Sequence, residues 1–427
     1  ELTITFGVGT DGPPTLDASF AFDWQSVDAT VYITGSRITA WTFVPDWTNG
    51  IIERMSWKTD VLQSYDMREQ RRALRIAPRK TIEFEAFFTA AERRYAESLM
   101  WGWGARNWAL PMWYDGQELE ATLPAGSTLI NIDTTTRDYI AGSLAILLSD
   151  AFTFETIEVD SVASDSITLA RPINIEWPAG SRIYPARTAR LPDRVRVPRW
   201  TGDASGVRAS FDVVEPIDYT ANAGATTYRS YPVIDRRPNW SGGFDLDLQR
   251  KLAQIDNMVG IPEFEDESGL PAPLQRMRWT LTTRAELDAV RQMLYALRGR
   301  QGSGWVPTWT IDMIVTTTID SSATAIDIEF MAYTSQINAA TGRRDIRIEL
   351  TNGTVFHRRI TGASQLSATT ERLTIDSALG QTIEPSEIAQ VSFMALMRLD
   401  SDDIDMAYWT GSIAEVAVVM RGFQHDL

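Results

Sequence analysis

Thr89-Ala-Ala-Glu92 opens a helix-period run that ends in Trp108-Ala-Leu-Pro111-Met-Trp113, and Thr283-Arg-Ala-Glu286 opens another that ends in Trp305-Val-Pro307-Thr-Trp309. Each reads as a strand, a capped helix and a Pro-x-Trp turn back into β structure. Thr followed three residues later by Glu is a capping box, which satisfies two backbone donors at a helix start reciprocally. Behind the second cap, Leu287, Val290, Leu294 and Leu297 share one helical face. Behind the first, Ala91, Tyr95 and Leu99 precede Trp101 and Trp103 less regularly. Gly102 and Gly104, and Gly302 and Gly304, are expected to stop the two helices.

The landmarks upstream repeat in the same order. Pro45-Asp-Trp47-Thr-Asn-Gly50 has its partner in Pro238-Asn-Trp240-Ser-Gly-Gly243. Alternation follows each, through Met55, Trp57, Thr59 and Val61 in one and Phe244, Leu246 and Leu248 in the other. Next, Pro78-Arg-Lys-Thr-Ile82-Glu-Phe84 matches Pro273-Leu-Gln-Arg-Met277-Arg-Trp279, each with its apolar residues on one strand face. Landmarks in one order at near-equal spacing predict an internal duplication.

The expected fold is mainly β with a few α-helices. It consists of two tandem related modules, each a β-sandwich with a flanking helix plus an additional small β-barrel-like domain. Residues 1–44 form an extended lead-in, with Leu2, Ile4, Phe6, Val31 and Ile33 alternating around an Asp11-Gly-Pro-Pro turn. Residues 45–220 form the first module, its β-domain at about 114–190, and 221–427 the second, its β-domain at about 310–400. Ile167-Thr-Leu169 and Leu373-Thr-Ile375 are expected equivalents, and an Ala/Thr/Gly-rich linker spans Tyr219–Thr227. Trp47, Trp108, Trp113, Trp240, Trp305 and Trp309 are the candidates for packing at the module joints, since large rings dominate cores and interfaces.

Composition narrows the function. The chain has 427 residues, 44% hydrophobic, with 15 tryptophans and a formal charge of −16. That charge argues against a general phosphate-binding surface, so no sequence-specific nucleic-acid contact is expected. No apolar run approaches the roughly 18 residues needed to span a bilayer, and no membrane contact is expected. Cysteine is absent and only His357 and His425 are available, which disfavours thiolate or His-rich metal sites and a Ser-His-Asp triad. Gly7-Val-Gly9 lacks the helix of a dinucleotide fingerprint. Asp400-Ser-Asp402-Asp403-Ile-Asp405 lacks the glycine and terminal glutamate of an EF-hand and reads as a solvated acidic turn; Glu263-Phe-Glu-Asp-Glu267 reads as a loop. No cofactor and no enzymatic activity are expected.

The strongest polar feature is the basic run Glu69-Gln-Arg71-Arg72-Ala-Leu-Arg75-Ile-Ala-Pro78-Arg79-Lys80. A solvated strand face is one reading. A contact with an acidic neighbour, including another copy of this acidic chain, is the other, because arginine forks suit carboxylates. Glu69, Arg71, Arg72, Arg75, Arg79 and Lys80 are therefore the candidate subunit-interface residues.

Thr59-Asp-Val61-Leu-Gln-Ser64-Tyr-Asp-Met-Arg-Glu69-Gln70-Arg71, followed by Arg75, Pro78-Arg79 and an aromatic strand to Phe87-Phe88-Thr89, resembles tail proteins of long-tailed bacteriophages of the distal-tail and baseplate-hub class. Met67 stands where that pattern has a turn glycine, and the second copy lacks the Glu-Gln-Arg segment. The resemblance covers about residues 45–113. It implies a virion structural protein, made in the host cytoplasm and placed at the tail tip, that forms a ring joining the tail tube to the receptor-binding apparatus. A hexameric distal-tail ring is the favoured expectation, with a trimeric hub as the alternative and other tail and baseplate proteins as partners. A different class is a carbohydrate-binding receptor-recognition module, with Trp113, Trp177, Trp200 and Trp409 as its candidates. A glycoside hydrolase has no identifiable acid/base pair.

Overall fold

The computed structural model describes residues 5, 15–24, 27–36, 38–104, 106–215, 219–241 and 243–425. The alternation at Leu2, Ile4 and Phe6 and the turn at Asp11 lie outside them. The fold is mainly β, with three α-helices among the described residues, one of them the single turn Tyr333–Gln336. No helix of the described residues is long and apolar enough to cross a membrane.

The lead-in is a hairpin of β1 (Thr15–Trp24) and β2 (Val27–Ser36). The first half then supplies β3 (Ile51–Ser56), a hairpin of β4 (Thr59–Gln63) and β5 (Glu69–Ala73), β6 (Arg79–Thr89), α1 (Ala90–Gly102), β7 (Trp108–Pro111), β8 (Arg182–Arg190) and β9 (Ala204–Val213). The second half supplies β10 (Leu246–Gln249), a hairpin of β11 (Leu252–Ile255) and β12 (Glu263–Asp266), β13 (Ala272–Leu281), α2 (Arg284–Leu297), β14 (Gly304–Pro307), β15 (Ile388–Leu399), β16 (Asp403–Tyr408) and β17 (Ala414–Gly422). The acidic stretch read as a loop at Glu263 is thus a hairpin strand, paired with Leu252–Ile255 and flanked by Arg250 and Lys251, which bridge Asp266 and Glu267.

One antiparallel sheet runs β9-β6-β3-β16-β17-β13-β10. Thr81 of β6 lies between Arg54 and Asp212, and Leu274 of β13 between Asp247 and Arg421; setting these two side by side shifts β13 two residues from the Pro78–Pro273 alignment. The alternation read in the sequence makes the inner face. Lys80, Ile82, Phe84, Ala86 and Phe88 point inward from β6, and Gln275, Met277, Trp279 and Leu281 from β13. All but Lys80 and Gln275 join one continuous apolar core that includes Trp41, Trp108 and residues of both helices. Each such buried aromatic or aliphatic side chain contributes about 1.5–3 kcal/mol.

The β-domains have their own cores. In the first, Leu144–Leu148 pairs with Phe154–Val162 and with β8, while Leu129–Asn131 pairs with Ser166–Leu169. In the second, Asp345–Leu350 pairs with Val355–Gln365 and with β15, while Ala325–Glu329 pairs with Thr370–Ile375. Each set carries a register shift, between Val159 and Ser161 in one and between Ile360 and Gly362 in the other.

The helices differ. On α2, Leu287, Val290, Met293, Leu294, Tyr295 and Leu297 are buried, and the Thr283 hydroxyl accepts from the Glu286 N–H at 3.2 Å. On α1 only Ala96 is buried, and Thr89 makes no cap bond because it is still paired with Ala204 in the sheet. Glycines 302 and 304 do not end α2. Arg298 adopts a left-handed conformation (φ 52°), its N–H bonded to the Leu294 carbonyl, and Gly299 follows at φ 65°. Gly304 instead begins β14.

Candidate functional site

The residues singled out in the sequence converge on the joint between the halves. There β3 lies antiparallel to β16, with Asp405 opposite Arg54. The Arg54 guanidinium makes a fork to the Asp405 carboxylate at 2.7 and 2.9 Å. Just beyond the strand, the Asp402 carboxylate accepts from the N–H groups of Thr59 (2.7 Å) and Arg300 (2.9 Å). Burial opposes its ionised form, yet these N–H groups and Arg300 hold its pKa below the ordinary value. Asp400 takes Arg421 at 2.5 Å. The acidic run at 400–405 is therefore engaged by cations and N–H groups of both halves. Among the described residues no group of three or more His, Cys, Asp or Glu has the geometry to hold a metal ion.

Most of the basic run works within the chain. Glu69 accepts a two-pronged fork from Arg398 at 2.7 Å per contact. Arg71 donates to the Ser303 hydroxyl at 2.8 Å and to the Arg300 carbonyl at 3.3 Å, and stacks 4.5 Å from the Phe423 ring centre. Arg75 donates to the Ser56 carbonyl at 3.2 Å. Lys80 is buried, 3.0 Å from Glu53 and 3.7 Å from Asp138. Only Arg72 and Arg79 of the candidate set are exposed. The alternation that sends Arg79 outward sends Lys80 into the core. In the tip of the β4–β5 hairpin, Met67 takes the glycine's role outright: its φ is 62°, and its carbonyl accepts from the N–H of Gln424.

Behind the joint lies a buried charge cluster that local sequence patterns could not reveal. Glu53 of β3 meets Lys80, accepts from the Tyr408 hydroxyl at 2.6 Å and lies 3.8 Å from Arg291. Asp138 of the first β-domain holds Arg187 at 2.7 Å, and Asp115 holds Arg284 at 2.6 Å and Arg291 at 3.6 Å. Burial disfavours the Glu53 carboxylate, but Lys80 and Arg291 outweigh it and keep its pKa low. Asp138 is likewise held at about 2, by Arg187 and Lys80 against burial. Both carboxyls stay ionised at neutral pH, so the cluster acts as an electrostatic lock.

The tryptophans divide. Trp108 and Trp305 are fully buried, Trp113 and Trp309 nearly so, and Trp47 packs partly buried against the core. Trp240 is 46% exposed, its ring centre 5.1 Å from that of Phe244. It is the one exposed member of the six joint candidates. Of the rings considered for sugar stacking, Trp177 and Trp113 are buried, whereas Trp200 and Trp409 are exposed. Trp47, Trp113, Tyr184 and Trp409 line a cleft of about 400 Å³ together with Gln117 and Arg182.

Compared with known proteins, the chain matches no family model and no curated protein.

Proposed function

We propose that this chain is a structural, non-enzymatic protein of the phage tail tip. In this reading its two halves are tandem copies of one module, and the chain forms a ring between tail tube and receptor-binding apparatus. The observation that carries it is the joint. The two halves meet through backbone pairing of β3 with β16, the kind of contact that joins units into closed assemblies. The Ser64–Arg71 segment that resembles tail proteins sits at this joint, with Glu69 and Arg71 reaching into the second half. Two modules per chain favour three copies around a pseudo-sixfold ring, alongside the hexamer first expected. Negative-stain images of the purified chain test the reading: ring-shaped particles with a central opening are expected, and solid single particles at all concentrations would overturn it.

A second reading keeps the same architecture and adds glycan recognition. Its support is the cleft where the half-buried Trp47 and the exposed Trp409 adjoin Gln117 and Arg182 over the buried Tyr184 ring. Retention on host polysaccharide that is lost in Trp409→Ala would support it; equal retention of both proteins would remove it.

A further inference from the structure

The joint inside the chain has an unfilled counterpart, built from the outer edges of the same sheet. In the second half, β16 turns into β17 through Trp409-Thr-Gly411, where the N–H groups of Trp409 and Thr410 both bond to the Ile413 carbonyl. In the first half, Trp200-Thr-Gly202 makes the same turn into β9, with Trp200 and Thr201 bonded to the Ala204 carbonyl. The bridge between Arg199 and Ser205 then corresponds to the pair Tyr408–Ala414. The segment Arg194-Val-Arg196-Val-Pro-Arg199 thus stands where Asp403-Ile-Asp405-Met-Ala-Tyr408 stands in β16.

Whereas β16 lies between β17 and β3, this segment touches β9 on one side and, among the described residues, has no strand on the other. Among the described residues the N–H groups of Arg194 to Val197 make no backbone hydrogen bond. Val195 and Val197 face the core while Arg194 and Arg196 face solvent. At the far end of the sheet, β10 holds β3's position but, among the described residues, pairs only with β13. Its second edge is open, and Leu248 is 57% exposed where Met55 of β3 is buried. Six strands, β9, β6, β3, β16, β17 and β13, separate the two edges, so they cannot meet within one copy.

The charges select the occupant. Setting Leu274 beside Thr81 puts Asp247 where Arg54 is, and the matched turns put Arg196 where Asp405 is. The Arg54–Asp405 fork inside the chain becomes, with signs exchanged, Asp247 facing Arg196. In the same register Gln249 lies opposite Arg194 and Asp245 opposite Pro198, and neither Asp247 nor Arg196 has an ion-pair partner among the described residues. The helices agree. Over the filled joint α2 is buried, with Tyr295 5.7 Å from Trp57 between ring centres. Beside the empty one α1 is bare: Trp101 is 95% exposed, on a groove it shares with Met100, Val195 and Val197.

We infer that a second copy of this chain fills the gap, adding its β10 edge (Asp245–Gln249) antiparallel to Arg194–Arg199, with Asp247 opposite Arg196 and Trp101 covered. Strand addition of this kind derives its strength from main-chain hydrogen bonds and its choice of partner from side chains. The contact joins two different surfaces, so it repeats from copy to copy and forms a ring when the rotation between copies closes. It rests on the self-assembly reading above and names its interface.

The test uses the full chain and the absence of native cysteine. The double variant Arg196→Cys/Asp247→Cys should give a disulfide-linked ladder on a non-reducing gel after mild oxidation, whereas each single variant should not. Independently, Arg196→Asp should weaken association by roughly tenfold or more in sedimentation velocity, and Arg196→Asp/Asp247→Arg should restore it. Urea unfolding of each variant confirms that it folds. An oligomer that persists with no ladder and no response to charge reversal would overturn this interface while leaving the ring reading standing. A wild-type chain that sediments as a monomer throughout would overturn both.

Discussion

Replacing Glu53 by Gln isolates the buried lock from every surface effect. The side chain has no exposure and contacts Lys80 at 3.0 Å, Arg291 at 3.8 Å and the Tyr408 hydroxyl at 2.6 Å. At an effective dielectric near 20, a charge pair at 3 Å attracts by about 5 kcal/mol. The amide keeps the shape but removes that attraction. Lys80 is left with Asp138 at 3.7 Å in a cluster where Lys80, Arg187, Arg284 and Arg291 would face only Asp115 and Asp138. Breaking a buried pair in this way costs about 3–5 kcal/mol. Adding Lys80→Met should recover much of the loss, since the uncompensated ammonium is then gone too. Urea unfolding at pH 7, followed by tryptophan fluorescence, reads both. A Glu53→Gln chain within about 1 kcal/mol of wild type would refute the electrostatic lock.

The exposed fork at the same joint should behave oppositely: Arg54→Ala, at a pair about half exposed, should cost under about 1 kcal/mol by the same assay. Gly50→Ala should cost about 2–3 kcal/mol, because φ 68° and ψ −176° are essentially glycine-only and a Cβ would sit 2.7 Å from the Tyr408 carbonyl; an unchanged urea midpoint would contradict this. Acid should weaken the chain in a defined window. Asp138 is depressed from 3.8 to about 2, so its contribution of roughly 2 kcal/mol is present above pH 3.8 and lost as pH falls toward 2. Midpoints measured across that range should fall less steeply in Asp138→Asn. Trp101→Ala should leave monomer stability within about 0.5 kcal/mol of wild type while weakening self-association, a split that separate unfolding and sedimentation measurements resolve.

Local periodicity made much of this fold legible. Ile82 and Phe84, Met277 and Trp279, and the α2 stripe announced their buried faces because strand and helix spacing are properties of neighbouring residues. The helix ends were less legible. The α2 stop depends on Arg298 adopting a left-handed turn that its residue type does not advertise, and Thr89 could not be known to stay in the sheet. The fate of the basic run was not legible either, since the Glu69–Arg398 and Lys80–Glu53 pairs depend on which strands become neighbours. One signal was present and went unread: Trp200-Thr-Gly202 and Trp409-Thr-Gly411 mark the same turn in both halves. Aligning the two turns sets the segments before them side by side and exposes the exchange of Arg196 for Asp405 in the sequence itself.

The central claim is that this chain assembles with itself into a closed ring. Its native mass, measured on the intact protein over a wide concentration range, tests that most directly. One discrete species of three or six copies, independent of further concentration once formed, is the expected result. A chain that stays monomeric at every concentration, or an open ladder of masses with no preferred size, would contradict it.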